Sequence, residues 1–223
     1  MHRYKSIGEA AALVYAHNMA PYIGDMLQRL TKMKHPQSEL LIVDDASLDG
    51  SSKLIGEKFK TLADRVVLND RILGLIMSVQ NAARITRCRH LLIVQDKDVL
   101  QEGEAARLLE PLLTGEADMT LGVPLKNMRP WRRRFIDALL SFFSGTRVIG
   151  VSSLHIAIKR EVILEIEKSG SPFAAGAELA ARLLRKKRRL KAVEINAARH
   201  YAKSGFYESL MEFYAIVRHY YFD

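Results

Sequence analysis

The chain has 223 residues, 48% hydrophobic and 26% charged, a balance that fits one packed domain spanning 1–223 and excludes a low-complexity chain. Its net charge of +9 favours anionic partners: nucleotide, phospholipid or nucleic acid. The single cysteine, Cys88, rules out an internal disulfide, and no apolar run nears the ~18 residues of a membrane span. The apolar stretch at the amino terminus is too short for a persuasive signal peptide. The expectation is a cytoplasmic protein, free or peripheral at a membrane face.

Residues 11–16 (AALVYA) read as a first buried strand ending in His17, Asn18 and Met19. Pro21 suits the opening of a helix, and Ile23, Met26, Leu27, Leu30 and Met33 follow at helical spacing. Residues 39–43 form a second strand that stops at Asp44 and Asp45, before a turn carrying Asp49 and Ser51 and a helix with Leu54, Ile55, Phe59 and Leu62 inward. A short strand at 65–68, a helix at 74–86 and a strand at 90–94 come next, the last running into Gln95-Asp96-Lys97-Asp98. Beyond it the pattern predicts a helix at 102–113, a strand at 117–123, and a basic amphipathic helix carrying Trp131, Phe135, Leu139, Phe142 and Phe143 beside Arg132, Arg133 and Arg134. One or two strands at 148–158, helices at 161–168 and 176–187, a strand at 190–195 and an aromatic helix at 206–221 complete the chain.

Alternation of strand and helix argues for an α/β fold, a mostly parallel central sheet with helices on both faces. In such a sheet the carboxyl ends of the strands share one edge, and ligands bind there. Three strands end in polar residues: Asn18, then Asp44 with Asp45, then Asp96 with Asp98. Asp49 and Ser51 have a plainer reading as helix caps, which leaves Asp44 and Asp45 to be explained. Clustered carboxylates at a buried strand end are costly without partners, so they mark a candidate ligand site. An Asp-x-Asp turn at a strand end suits a hard divalent ion, Mg²⁺ or Mn²⁺, held together with substrate phosphates.

The segments ALVYAHNMAPYI, LLIVDDASLDGSS and LLIVQDKDVL, in this order and spacing, resemble family 2 glycosyltransferases with the GT-A fold. GEADMTLGV, RPWRRRFIDALLSFFSGTRV, KREVILEI and GAELAARLLRKKRRLKAVEI are similar to the dolichyl- or polyprenyl-phosphate sugar transferases within that family. The resemblance implies a nucleoside-diphosphate sugar as donor, with Asn18, Asp44, Asp45, Asp49 and Asp96 about the nucleotide sugar. It implies a divalent ion on Asp96 and Asp98, Arg132 and Arg133 on phosphates, and Asp98 and Glu178 as the catalytic acidic positions. A polyprenyl phosphate or other membrane-associated acceptor follows from the same likeness.

Several positions depart from the family pattern: Met19 stands where Glu is usual, and Lys97 lies between the acidic pair. Gly122-Val123-Pro124 replaces Gly-Ser-Arg, and Ser153-Leu154-His155-Ile156 replaces Ser-Gly-Phe-Arg. Two alternatives therefore stay open: transfer to a saccharide or protein hydroxyl, and a degenerate binding or assembly subunit. Basic residues at 185–191 read as a solvated helix end or, with Arg132 to Arg134, as a patch for an anionic membrane. Nucleic acid is disfavoured, because no helix-turn-helix, zinc-finger or RNA-motif signature accompanies the charge. A dinucleotide oxidoreductase is disfavoured too, since no Gly-x-Gly-x-x-Gly follows the first strand. Self-association stays open.

Overall fold

A computed structural model describes residues 10–33, 38–95, 100, 103–124, 131–151, 153, 155–167, 175–196, 214 and 218. The element order is β1 (Ala10–Ala16), α1 (Ile23–Met33), β2 (Glu39–Asp44), α2 (Ser51–Leu54), β3 (Arg65–Leu68), α3 (Leu75–Ile85), β4 (His90–Val94), α4 (Glu104–Leu113) and β5 (Met119–Pro124). There follow α5 (Trp131–Ser144), β6 (His155–Lys159), α6 (Arg160–Leu164), α7 (Ala175–Arg185) and β7 (Leu190–Ile195).

Among the described residues these strands make one seven-stranded sheet in the order β3-β2-β1-β4-β6-β5-β7. β1 is parallel to both β2 and β4, and β2 is parallel to β3. β6 is antiparallel to β4 and to β5, while β7 is parallel to β5. Six strands therefore share one direction, and only β6 runs against them. β4 is buried along all five residues, as a central strand covered on both faces must be.

Side chains alternate across the sheet, so each strand feeds two cores. Leu13, Leu41, Val43, Leu91 and Ile93 face α3, α5, α6 and α7. Val14, Leu40 and Ile42 face α1 and the segment after β2, and Leu92, Ala157 and Ile195 face α4. α1 covers its share with Ile23, Met26, Leu27 and Leu30, the i, i+3, i+4, i+7 stripe of an amphipathic helix.

Two regions differ from the sequence reading, and a third lies outside the described residues. The helix after β2 keeps one α turn, then widens to a π segment at Ile55–Phe59 and tightens to a 3₁₀ turn at Lys60–Leu62. The widened stretch buries Ile55 and sets the Phe59 ring over Gly24, the position of α1 that has no side chain. Within 148–158 the described residues hold a single strand, β6, reversed in the sheet. Apolar alternation reports burial and not direction, so the reversal has no local signal. The aromatic helix expected at 206–221 lies outside the described residues except for Tyr214 and Arg218.

Candidate active site at the carboxyl edge of the sheet

The carboxyl ends of β1 and β2 are stitched together. Ala16 is in register with Asp44, and the Asp45 N–H extends the ladder by donating to the Ala16 carbonyl at 2.8 Å. His17 Nδ1 lies 2.8 Å from the Asp45 carbonyl. In the loop after β1, the backbone N–H of Asn18 donates to Ser47 Oγ (2.9 Å), that of Met19 to Ser51 Oγ (2.8 Å) and that of Ala20 to Asp49 Oδ2 (2.8 Å). Asn18 Oδ1 accepts from the Leu48 N–H at 2.9 Å in return. Asn18 holds φ 55°, a left-handed conformation that asparagine tolerates better than most residues. Ser47, Ser51 and Asp49 of the DDASLDGSS segment are thus the acceptors for the backbone N–H groups of this turn.

Asp44 and Asp45 project to opposite faces of the sheet, and both are fully buried. Asp44 accepts from the Ser47 N–H (3.1 Å), Ser47 Oγ (2.6 Å) and Ser52 Oγ (2.5 Å). Asp45 accepts from Tyr15 Oη (2.9 Å), Asn69 Nδ2 (2.9 Å), the N–H groups of Leu73 (2.8 Å) and Gly74 (2.9 Å), and Ser78 Oγ (3.0 Å). A carboxylate has about four lone-pair sites, so five donors leave Asp45 no free acceptor. Burial alone would raise its pKa; the donors from Leu73, Asn69, Tyr15 and Gly74 outweigh it and hold the carboxyl below the usual range. In this structure the oxygens of Asp44 and Asp45 accept from the protein's own donors, and the two carboxylates brace the edge at which the nucleotide is expected.

Asp45 also anchors the approach to α3. It accepts from the N–H groups of Leu73 and Gly74, the two residues before that helix, and from the Ser78 hydroxyl in its first turn, a position where negative charge is favoured. Asp49 braces two segments: Oδ1 accepts from the Ser51 N–H (3.0 Å) and Ser51 Oγ (2.6 Å) at the start of α2, while Oδ2 accepts from the Ala20 N–H in the loop after β1. Burial opposes its ionisation, but the Ser51 hydroxyl and the N–H groups of Ala20 and Ser51 lower its pKa. On the rim of this scaffold Asn18 and Asp49 are exposed, as is Leu48 at the loop's tip.

Asp96 and Asp98 lie outside the described residues; β4, which precedes them in the sequence, ends at the same edge, Val94 pairing with Val14 two residues before β1 ends. Arg132 and Arg133 fall in the first turn of α5, which begins a short stretch after the carboxyl end of β5. Glu178 sits in the first turn of α7. That helix must run against β7, so its start lies at the carboxyl edge as well. Glu178 is buried and paired with Arg182 at 2.9 Å, and Arg182 Nη1 also donates to the Glu167 carbonyl at 3.0 Å.

Residues 185–191 lie at the opposite, amino-terminal edge, where the chain turns from α7 into β7. There Lys186 donates to the Glu165 carbonyl (2.8 Å), Arg188 pairs with Glu165, Arg189 with Asp118 (3.5 Å) and Lys191 with Glu116 (2.6 Å). The basic run is an internally paired helix end, and it does not share an edge with the start of α5.

Tyr15, Asn69, Ser78 and Arg182 escaped the sequence reading. Only Arg182 had a local signal, since it stands four residues after Glu178 on one helix face. The donors to Asp45 come from 30 positions before it and from 24 to 33 positions after it, beyond the reach of any periodicity.

An open, nearly all-parallel sheet with one reversed strand and acidic residues gathered at its carboxyl edge defines a GT-A-like fold. Residues 12–158 match the family model for glycosyl transferase family 2, and the chain belongs to that family of glycosyltransferases. Glucosyl-3-phosphoglycerate synthase from Mycobacterium tuberculosis, solved with uridine-diphosphate, superposes with a TM-score of 0.76 at 14% identity, over 98% of this chain and 83% of that one. The same enzyme with Mn²⁺, uridine-diphosphate-glucose and phosphoglyceric acid gives 0.74 at 14% identity, covering 98% and 82%. Mannosyl-3-phosphoglycerate synthase from Rubrobacter xylanophilus gives 0.68 at 14%, covering 97% and 75%. No functionally curated protein matches the chain by sequence.

Proposed function

We propose that this glycosyltransferase moves a sugar from a nucleoside-diphosphate sugar to a polyprenyl phosphate at the cytoplasmic face of a membrane. The observation that carries the reading is the meeting of the carboxyl ends of β1, β2 and β4 at one braced edge, with Asp96 and Asp98 directly after β4. Asn18 and Asp49 on the rim serve the nucleoside side, with Asp44 and Asp45 holding the loops that carry them. Two carboxylates two residues apart in the sequence are a hard-oxygen donor set that fits Mg²⁺ or Mn²⁺ shared with a diphosphate. An ion held by Asp96 and Asp98 would supply positive charge to balance the departing nucleoside diphosphate.

Transfer breaks the bond between the sugar's anomeric carbon and the diphosphate oxygen and forms one to a phosphate oxygen of the acceptor. That oxygen is already anionic at neutral pH, its second pKa lying near ~6, so no residue need remove a proton. Arg132 and Arg133 are assigned to balancing phosphate charge, and Glu178, paired with Arg182, to the sugar side. A small phosphorylated acid is the second reading for the acceptor, because one of the solved neighbours named above carries phosphoglyceric acid beside the donor sugar nucleotide. Hydroxyl acceptors and a binding-only subunit are the remaining alternatives.

The test is calorimetry of nucleoside diphosphates with and without Mn²⁺, followed by turnover on polyprenyl phosphate and on phosphoglycerate. Metal-dependent binding abolished by Asp98→Ala, with turnover lost in Asp96→Asn, supports the reading. Nucleotide binding without turnover on any donor and acceptor supports the binding-only subunit. Equal affinity in EDTA removes the metal from the proposal.

A further inference from the structure

α5 is apolar on two opposite sides. Ile136 and Leu140 are buried, and the helix packs against α7. On the outer side Phe135, Ala138 and Phe142 recur at i, i+3 and i+7 and are all exposed, Phe135 at 55% and Phe142 at 81%. Phe142 rests edge-to-face on Phe143 at 5.5 Å, so the inner ring joins the core cluster while the outer one stands clear of it. Folding accounts for one apolar stripe on a surface helix; a second one needs another apolar medium.

The charges around the stripe say which medium. Arg134 stands at its amino-terminal end and Arg147 just past its carboxyl end, both exposed. The one acidic side chain of α5, Asp137, is turned inward, where its Oδ1 accepts from the N–H groups of Gly150 (2.9 Å) and Val151 (3.1 Å). The exposed surface from 134 to 147 therefore carries cations and apolar rings and no carboxylate. A helix with that make-up lies in the interface plane of a bilayer, rings in the acyl boundary and cations among anionic headgroups. Among the described residues no helix is long and apolar enough to cross a membrane, so the contact is with one surface.

We infer that the outer face of α5, through Phe135, Phe142, Arg134 and Arg147, docks the protein on an anionic lipid surface. The inference deepens the proposed function and rests on its lipid-linked acceptor for its purpose: α5 follows the carboxyl end of β5 in the chain, and Arg132 and Arg133, proposed for phosphate, stand in its first turn ahead of the docking face. The basic run at 185–191, at the other edge, takes no part.

The experiment is co-sedimentation of the full chain with vesicles of phosphatidylcholine alone or with added phosphatidylserine, and it needs neither donor nor acceptor. Binding to the anionic vesicles that weakens as salt rises is expected. Phe142→Ser and Phe135→Ser should each weaken it by about tenfold, as expected for a ring that leaves water on binding. Arg134→Glu should weaken it more at low salt than at high salt, and Lys187→Glu should leave it unchanged. Unaltered far-ultraviolet dichroism confirms that each variant is folded. No vesicle binding, or binding unchanged in Phe142→Ser, overturns the inference. If Phe142→Ser instead changes the oligomeric state with no vesicle binding, the stripe belongs to a second copy of the chain and the inference falls. Metal-dependent nucleotide binding without vesicle binding refutes the docking face and leaves sugar transfer standing; the reverse pattern refutes the donor and leaves the docking face.

Discussion

Tyr15, the penultimate residue of an otherwise apolar strand, donates its phenol proton at 2.9 Å to Asp45, one residue beyond the end of the neighbouring strand. Burial, then the charge of Asp45, pushes the phenol pKa above its ordinary value, so Tyr15 remains a donor at every physiological pH. Removing the carboxylate strands five donors at once. Asp45→Ala is expected to cost about 3 kcal/mol or more, since each buried group left unpaired costs ~1–3 kcal/mol and neighbouring losses partly overlap. Tyr15→Phe removes one donor and leaves four, with an expected cost of about 1 kcal/mol. Urea denaturation of both variants and their double mutant checks the pair, and the double should cost less than the sum.

Ala46 follows this carboxylate at φ 53°, a left-handed conformation that costs a residue with a Cβ about 1–2 kcal/mol. Ala46→Gly relieves that strain at some cost in chain entropy, for an expected net gain of about 0.5–1 kcal/mol. A rise of the thermal midpoint, with nucleotide affinity retained, is the expected outcome.

Asp118, at the other edge of the sheet, accepts from Lys159 Nζ (2.7 Å) and the Arg189 N–H (2.9 Å). Burial works against its ionisation, but the Arg189 N–H and the Lys159 and Arg189 side chains outweigh it and lower its pKa to about 2 from 3.8. A folded-state pKa below the unfolded value stabilises the protein above the unfolded value, and that share is lost as pH falls from about 4 to about 2. The share is on the order of 2 kcal/mol. Stability measured by denaturant titration should fall across that window in the parent, and less steeply in Asp118→Asn, which starts from a lower plateau.

Gly122 marks a tight junction between β5, β6 and β7. A Cβ there would lie 2.5 Å from Ile195 Cδ1 and 3.2 Å from both the Cβ and the carbonyl oxygen of His155. The isoleucine can yield, but the strand backbone cannot, so Gly122→Ala should cost about 1–3 kcal/mol. Adding Ile195→Val should recover part of the loss in thermal melts, whereas Ile195→Val alone should be mildly destabilising.

The first half of the sheet was legible because each strand is a continuous apolar run that stops at a turn. Leu40 to Val43 and Leu91 to Val94 are buried on both faces and leave no ambiguity. α1 and α3 were legible by their stripes. The acidic edge was legible as a place, since parallel strands bring their ends together, but not in its wiring. Whether Asp45 points at a ligand or at Asn69, Leu73, Gly74 and Ser78 depends on a crossover that sequence spacing does not encode. The reversal of β6 and the pairing of residues 185–191 with Glu165, Asp118 and Glu116 were hidden for the same reason: each is settled by partners from other elements.

Asp44 and Asp45 are joined by one peptide bond yet serve loops on opposite sides of the sheet. The donors that satisfy Asp44 come from 47–52, and those that satisfy Asp45 come mainly from 69–78. A rigid hinge pin of this kind makes the two loops exchangeable only as a set. A chimera that imports 46–52 from a relative while keeping the native 69–78 asks one dipeptide to fit two foreign geometries, whereas transplanting both with Tyr15 carries its own fit along. Recombination of donor specificity in this scaffold is thus constrained to modules that look discontinuous along the chain and are contiguous in space.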